Sequence, residues 1–176
     1  MFSVSSFILI IPYPFLFSLI PIAFSRMHIV FVEPEIPPNT GTTARLCAAT
    51  NTTFHLVGPL GFSLEDRYLK RAGLDYWPYV DVHYYSIWKD FLSRRPPGRL
   101  VAFSARATVS YTQVSYTESD LLIFGSETRG LSDEVRALVA DSLYTIPMSG
   151  THVRSLNLST AAAIVLYEAL RQLGRV

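Results

Sequence analysis

Short apolar runs alternate with helix-forming segments along the chain from residue 27 to its end. The predicted strands are rich in β-branched and aromatic residues and cover residues 28–33, 53–57, 80–84, 99–103, 120–124 and 143–146. The predicted helices lie between and after them, at residues 39–50, 64–71, 87–93, 132–140 and 157–173. This alternation favours an α/β domain in which helices cover both faces of a mostly parallel sheet.

Proline and capping residues predict where several helices begin. The segment before the first helix is expected to be extended because it contains Pro34, Pro37 and Pro38. Asn39 or Thr40 is then the expected N-cap of that helix. Ser132 is expected to cap the fourth helix, and the last helix carries an apolar stripe of Leu158, Ala162, Val165 and Ala169.

The first 26 residues differ in composition from the rest of the chain. They hold 17 apolar residues and one charge, Arg26, whereas residues 27–176 carry 14 basic and 14 acidic residues. Three prolines interrupt this leader, which argues against a membrane-spanning helix, and it lacks the basic start of an export signal. We therefore expect a spurious or unstructured leader before a single domain of residues 27–176, with an export signal and a membrane anchor as the alternatives. The single cysteine, Cys47, excludes an intramolecular disulfide.

The loop after the first predicted strand contains three prolines where dinucleotide-binding folds place a Gly-x-Gly turn. The sequence also lacks a Walker lysine motif, so we do not expect a nucleotide to bind at this loop. Asn39 and Arg45 follow six residues apart and offer amide and guanidinium donors suited to a phosphate or a ribose edge. Helix capping by Asn39 and simple solvent exposure of Arg45 explain the same residues without a ligand.

The loop after the fifth predicted strand has two glycines, Gly125 and Gly130, on either side of Glu127 and Arg129. Glycine allows a sharp turn or a close approach of the backbone to a ligand, and the two charged side chains would lie at the mouth of such a site. An ordinary turn with two solvated charges is the alternative.

Polar side chains also mark the start of the last helix. The last predicted strand ends at Ile146-Pro-Met, and Ser155, Asn157 and Ser159 follow before the helix. Free N–H groups at a helix start can hold polar atoms of a ligand. Capping by Ser155 or Asn157 is the simpler explanation.

Taken together, the three loops resemble the three motifs of the SPOUT superfamily of RNA methyltransferases. The motifs read Asn39-x-Gly41-x-x-x-Arg45, Phe124-Gly-Ser-Glu-Thr-Arg-Gly130, and Ile146-Pro-Met followed by Ser155-Leu-Asn157-Leu-Ser. Residues 33–41, 71–76 and 167–174 further resemble the branch that methylates the wobble ribose of tRNA. The resemblance covers residues 27–176, and Ser126 departs from it because proline is common there.

The resemblance implies a fold in which the C-terminal segment threads a loop to form a trefoil knot, a rare exception to unknotted connections. It also implies a homodimer with S-adenosylmethionine (AdoMet) as the cofactor, held largely by backbone atoms. The implied cofactor-binding residues are Phe103, Gly125, Ile146, Ser155 and Leu156.

The implied reaction is 2′-O-methylation of the nucleotide at tRNA position 34, a cytidine or a modified uridine. The ribose hydroxyl attacks the methyl of the sulfonium, so the protein mainly supplies positioning, worth roughly 7–11 kcal/mol at best. The family mechanism assigns proton removal to Arg45, but a guanidinium keeps its proton, and stabilising the developing alkoxide is physically easier. The resemblance implies that Asn39, Glu127, Ser155 and Asn157 position Arg45 and the ribose.

A net charge of zero over residues 27–176 is low for an enzyme that binds a tRNA anticodon stem-loop, so local cations must contact its phosphates. The RNA-binding candidates are Arg67, Lys70, Arg71, Arg129 and Tyr167, with a second basic cluster of Arg94, Arg95 and Arg99. Solvated helix faces explain the basic clusters equally well, and core packing explains Tyr167. The four histidines, His28, His55, His83 and His152, lack ligand spacing, so no metal is expected.

Two other functions remain open at this point. A methyltransferase acting on ribosomal RNA would normally carry an added RNA-binding domain, which this short chain lacks. A knotted dimer that binds RNA without catalysis would not need Arg45, Glu127, Ser155 and Asn157. For the methyltransferase we expect a cytoplasmic location and no stable membrane association.

Overall fold

The computed structural model describes residues 26–64 and 77–176. The described strands are β1 (His28–Val32), β2 (Thr53–Val57), β3 (Val82–Tyr85), β4 (Leu100–Phe103), β5 (Leu121–Phe124) and β6 (Leu143–Tyr144). The α-helices are α1 (Pro37–Thr50), α2 (Trp88–Arg94), α3 (Asp133–Leu138) and α4 (Leu158–Gln172). Short 3-10 turns occupy Trp77–Tyr79, Tyr111–Gln113 and Ala140–Ser142. All six predicted strands are present, although β6 is only two residues long.

The six strands form one sheet in the order β3-β2-β1-β5-β4-β6, and every pairing is parallel. This confirms the predicted parallel α/β sheet. Because all strands run the same way, their carboxyl ends meet at one edge, and the loops that follow them are neighbours in space. The order also places β1 beside β5, which lies about 90 residues later in the chain.

Alternate residues of β1 face two different apolar cores. Ile29 and Phe31 pack in a cluster with residues of α1 and α4, including Val165. Val30 and Val32 pack in a second cluster with residues of α2 and α3, including Phe91. The sheet is therefore buried on both faces, as the continuous apolar character of its strands predicts. The predicted stripe of α4 is buried as well, since Ala162, Val165 and Ala169 are fully inaccessible and Leu158 is nearly so.

The start of α1 was predicted wrongly. Pro37 and Pro38 are not in an extended segment but form the first turn of the helix, and the N-cap is Ile36. Proline is well suited to this position, because its fixed φ matches the helix and the N–H that it lacks would have no helical partner. Asn39 and Thr40 are therefore inside the helix and cap nothing, which leaves the Asn39 side chain available for other contacts.

The other helix starts agree better with the sequence. Ser132 caps α3 and accepts a hydrogen bond from the Val135 N–H, as predicted. The helix ends at Leu138, two residues before its predicted end. Asn157 caps α4. The predicted leader before Arg26 and all but the first residue of the predicted helix at 64–71 lie outside the described residues. Within the described part of the chain, no helix has the length and hydropathy needed to cross a membrane.

Candidate functional site

A cavity of about 820 Å³ lies at the carboxyl edge of the sheet. Its walls come from the start of α1 and from the loops that follow β4, β5 and β6. All five residues that the resemblance assigns to the cofactor line it, namely Phe103, Gly125, Ile146, Ser155 and Leu156. Asn39, Glu127 and Asn157 line the same cavity. The fold thus brings four segments that are far apart in the sequence to one site.

The loop after β5 closes tightly on itself. The backbone N–H of Ser126 donates to the Gly130 carbonyl at 3.1 Å, and the Gly130 N–H donates back to the Ser126 carbonyl at 2.9 Å. Gly130 has a φ of 72°, in the left-handed region. A Cβ atom added to Gly125 would lie 2.2 Å from the Gly130 carbonyl carbon. Gly125 is therefore required by the loop's own closure, which agrees with the sharp turn, the first of the two explanations given for the glycines of this loop.

The Glu127 carboxylate accepts three hydrogen bonds from the start of α1. Its Oε2 accepts from the Glu35 N–H at 2.7 Å, and its Oε1 accepts from the Ile36 N–H at 3.3 Å and from Asn39 Nδ2 at 2.7 Å. Ile36 has no side-chain oxygen to cap the helix, so Glu127 brings a negative charge to this end from another loop. Glu127 therefore joins the loop after β5 to α1.

Asn39 links this carboxylate to the start of α4. Its Oδ1 accepts from Asn157 Nδ2 at 2.8 Å, while its own Nδ2 donates to Glu127. The Asn157 Oδ1 in turn accepts from the N–H groups of Ser159 and Thr160 at 3.0 and 3.2 Å. Because each amide must donate at one atom and accept at the other, the orientation of both asparagines is determined. We call Glu127, Asn39 and Asn157 the amide–carboxylate chain.

Further hydrogen bonds and ion pairs join the loop after β5 to the segment before α1, next to the amide–carboxylate chain. The Thr128 N–H and hydroxyl both donate to Glu35 Oε2, at 3.2 and 2.6 Å, and the hydroxyl bond is the main reason that the pKa of Glu35 is lowered. Arg129 Nη2 donates to Glu33 Oε2 at 2.9 Å, and its Nε lies 3.4 Å from Glu35 Oε1. Arg129, an RNA-binding candidate from the sequence, is thus paired with two carboxylates of the chain itself.

Arg45 is not among the residues that line the cavity. It lies exposed on α1, nearly two turns after Asn39. Tyr167 is 48% exposed on α4 and is also absent from the cavity lining. The other RNA-binding candidates, Arg67, Lys70 and Arg71, lie outside the described residues.

The second basic cluster is occupied by internal contacts. Arg94 pairs with Asp90 on α2, and Arg99 pairs with the fully buried Asp120 at 2.7 Å. Arg95 donates to the carbonyls of Pro96 and Gly98. These contacts give all three arginines partners within the protein, which neither RNA binding nor a solvated helix face had predicted.

Three arginines that line the cavity, Arg106, Arg136 and Arg154, were not predicted from the sequence. Arg106 follows β4, and Arg154 precedes α4, and both line the cavity. Arg106 and Arg154 could have been chosen from the sequence as site candidates, because each lies in a loop at the carboxyl end of a predicted parallel strand.

Three histidines lie on neighbouring strands away from this cavity. His28 Nδ1 is 3.0 Å from His55 Nε2, and His55 Nδ1 is 3.1 Å from the Tyr85 hydroxyl. Burial, with smaller effects of His28 and His83, lowers the pKa of His55 to about 3. The parts of the chain that the structure describes contain no group of three or more His, Cys, Asp or Glu side chains arranged to hold a metal ion.

Comparison with known proteins is consistent with this geometry. The model of the SpoU rRNA Methylase family matches residues 26–167. A tRNA (cytidine(34)-2'-O)-methyltransferase of Saccharophagus degradans (strain 2-40) is 47% identical over 148 residues, which cover 84% of this chain and 96% of that protein.

Two solved structures show the same fold. One is described as giving insights into the 2-OH methylation of C/U34 on tRNA. It has a TM-score of 0.80 and 47% identity, and the match covers 85% of this chain and 97% of that chain. The other is an AdoMet-bound rRNA methyltransferase from Sinorhizobium meliloti, with a TM-score of 0.75 and 28% identity, over 84% of this chain and 57% of its own.

Proposed function

The chain belongs to the SpoU rRNA Methylase family, and from this premise we propose that it methylates the ribose 2′-OH of nucleotide 34 in tRNA. The enzyme is an AdoMet-dependent methyltransferase. The observation that carries the proposal is the convergence of three distant motifs on one cavity, where Asn39, Glu127 and Asn157 form a continuous hydrogen-bonded chain.

The cavity fits the cofactor. Its volume of about 820 Å³ is within the range of small-molecule sites, and its lining mixes apolar side chains with backbone of the loop after β5. Phe103 and Ile146 offer apolar surface, and Ser155 adds a hydroxyl at an exposed position. When bound, AdoMet supplies an activated methyl group on its sulfonium.

The protein's own contribution is to hold the site in one arrangement before the substrate binds. The amide–carboxylate chain fixes the start of α1, the loop after β5 and the start of α4 relative to one another. Arg45 is proposed to stabilise the negative charge that develops on the ribose oxygen, or to orient the hydroxyl, because a guanidinium keeps its proton. In-line positioning contributes roughly 7–11 kcal/mol at best to such a displacement.

The share of each relative that the chain covers favours a tRNA substrate over a ribosomal RNA substrate. The chain covers 96% of the tRNA methyltransferase from Saccharophagus degradans but 57% of the rRNA methyltransferase from Sinorhizobium meliloti. The similarity to the tRNA enzyme therefore extends over nearly the whole of that protein. Cytidine or a modified uridine at position 34 is the proposed target.

The family also supports three finer proposals. The C-terminal segment that begins after β6 is proposed to form a trefoil knot, and the active enzyme is proposed to be a homodimer. The cytoplasm is the proposed location, because that is where the tRNA substrate is modified.

Transfer of a methyl group to synthetic tRNA tests the proposal directly. Purified protein is incubated with AdoMet and tRNA, and the nucleosides are analysed by mass spectrometry for 2′-O-methylation at position 34. A matched tRNA with a 2′-deoxyribose at position 34 is the control, and it should remain unmodified. Methylation of ribosomal RNA but not tRNA, or RNA binding without any transfer, would refute the proposed function.

A further inference from the structure

Four arginines line the cavity, and they fall into two pairs. Arg129 is bound by Glu33 and Glu35, and Arg136 pairs with Asp133. The side chains of Arg106 and Arg154, by contrast, make no hydrogen bond or ion pair with any of the residues that the structure describes.

The two unpaired guanidiniums lie on adjacent loops at the mouth of the cavity. The Ser104 N–H, just before Arg106, donates to the Tyr144 carbonyl of β6 at 2.9 Å. Farther along the same loop, the Tyr111 N–H donates to the Thr145 carbonyl at 2.8 Å. Arg154 belongs to the segment that continues from Thr145 to α4. Both residues are exposed, so an incoming ligand can reach them.

The cofactor cannot account for both of these charges. AdoMet has one carboxylate, and its sulfonium and ammonium groups add two positive charges to the cavity. The carboxylate of the lining residue Glu127 is already occupied by three hydrogen bonds from α1. Two unpaired guanidiniums next to a cationic ligand therefore favour the binding of further negative charge from outside the protein.

The substrate carries negative charge next to the reacting atom. In RNA, the 2′-hydroxyl is on the carbon adjacent to the one that bears the 3′-phosphate. Any site that brings this hydroxyl to the cofactor's methyl group therefore also brings a phosphodiester to the mouth of the cavity. Guanidinium groups bind phosphate oxygens with two parallel hydrogen bonds.

We propose that Arg106 and Arg154 bind the backbone phosphates that flank the target ribose, and so hold the substrate strand across the mouth of the cavity. This inference rests on the proposed function, since it assumes an RNA substrate at this cavity. It gives the enzyme local phosphate contacts that its net charge of zero over residues 27–176 does not supply.

The test measures how salt affects RNA binding in the variants Arg106→Gln, Arg154→Gln and the double variant. Each protein is saturated with S-adenosylhomocysteine, and its affinity for a synthetic anticodon stem-loop is measured over a range of salt concentrations. Each substitution should lower the slope of log K against log salt by about 0.7–0.9, because one phosphate contact is lost. Affinity for S-adenosylhomocysteine, measured by calorimetry, should stay within about twofold of the wild type.

Three further variants make the outcome specific. Lys89→Gln removes an exposed cation on α2, outside the cavity, and should leave the slope unchanged. Arg106→Lys and Arg154→Lys retain the charge and should keep the slope, with weaker binding because the two parallel hydrogen bonds are lost. Melting temperatures of all variants should match the wild type, since neither arginine has a partner to lose among the described residues.

Several results would overturn the inference. A loss of S-adenosylhomocysteine binding with an unchanged salt slope would show that the arginines bind the cofactor's carboxylate instead. An unchanged slope with normal cofactor binding would show that they contact no ligand. If the wild type neither binds nor methylates the stem-loop, the proposed function fails, and that result is distinguishable from the failure of the two arginines alone.

Discussion

Replacement of Asn39 by aspartate tests the amide–carboxylate chain without changing its shape. The two side chains have nearly the same size, and the Asp Oδ1 can still accept from Asn157 Nδ2. The second oxygen, however, takes the place of the Nδ2 donor that lies 2.7 Å from Glu127 Oε1. Because Asn39 is only 5% exposed, little water can screen the two carboxylates from each other. An attractive contact thus becomes a repulsive one.

The cost can be estimated from the bond that is lost. A hydrogen bond to a charged group contributes about 1.5–3 kcal/mol, and repulsion adds to this, so Asn39→Asp should destabilise the protein by about 2–4 kcal/mol at pH 8. The repelled pair can share one proton, and its folded-state pKa is then raised. Stability relative to the wild type is therefore lost as the pH rises through that pKa and recovered below it. At pH 5 the difference should be clearly smaller than at pH 8.

Urea unfolding of both proteins at several pH values measures this difference. Asn39→Ala is the matched control, since it removes the same hydrogen bonds without adding a charge and should give a loss that does not depend on pH. Both variants should also bind S-adenosylhomocysteine more weakly, because the starts of α1 and α4 lose their connection. Equal stability of Asn39→Asp and the wild type at pH 8, or the same deficit at pH 5 and pH 8, would refute the assigned hydrogen bonds.

Four other outcomes follow from the structure. Gly125→Ala should abolish S-adenosylhomocysteine binding in calorimetry, because its Cβ would lie 2.2 Å from Gly130; near-normal affinity would contradict the loop geometry. Arg45→Ala should abolish methyl transfer while leaving cofactor binding intact, and activity within about tenfold of the wild type would show that its role is wrong. The pKa of His55 is about 3 in the folded state and 6.5 in the reference state, so between pH 6.5 and pH 5 only the unfolded chain takes up the proton. The free energy of unfolding should therefore fall by about 2 kcal/mol over this range. Urea unfolding that shows no such loss would contradict the burial of His55. A chain that starts at Met27, whose side chain is fully buried, should bind S-adenosylhomocysteine as the full chain does, and weaker binding would show a contribution from residues 1–26.

The strands of the fold could be predicted because their signal is local. Residues 53–57 read Thr-Phe-His-Leu-Val, a short run rich in β-branched and aromatic residues that ends at Gly58-Pro59, and the structure places β2 at the same residues, Thr53–Val57. The order of the strands could not be obtained in this way. The pairing of β1 with β5 joins residues such as His28 and Leu121, and no local pattern records such a distant contact. The start of α1 was predicted wrongly because Pro37 and Pro38 were expected to hold an extended segment rather than to form the first turn of the helix.

Motif resemblance named several residues that line the cavity, but it gave none of their contacts, and it also named Arg45, which is not in the lining. Motif resemblance named Asn39, Glu127 and Asn157, and the structure brings all three to one cavity. Their hydrogen bonds, however, join residues 88 and 118 positions apart in the sequence. Capping by Asn157 was predicted correctly, and its side chain accepts two of the N–H groups at the start of α4. That N–H groups of this helix start hold polar atoms of a ligand stays a prediction.

These helix starts explain why we propose arginines, rather than backbone N–H groups, as the phosphate donors of the cavity. A helix N-terminus often binds phosphate through its free N–H groups, and both α1 and α4 begin at this cavity. At α1, however, the first two helical residues are prolines without an N–H, and Glu127 accepts the N–H groups just before them. At α4, the Asn157 side chain takes the N–H groups of Ser159 and Thr160. These backbone donors, which would otherwise attract a phosphate, are thus occupied by the protein itself. An anion at the mouth therefore has fewer backbone donors to bind, and the guanidiniums that the protein leaves unpaired there, among the residues described, are those of Arg106 and Arg154.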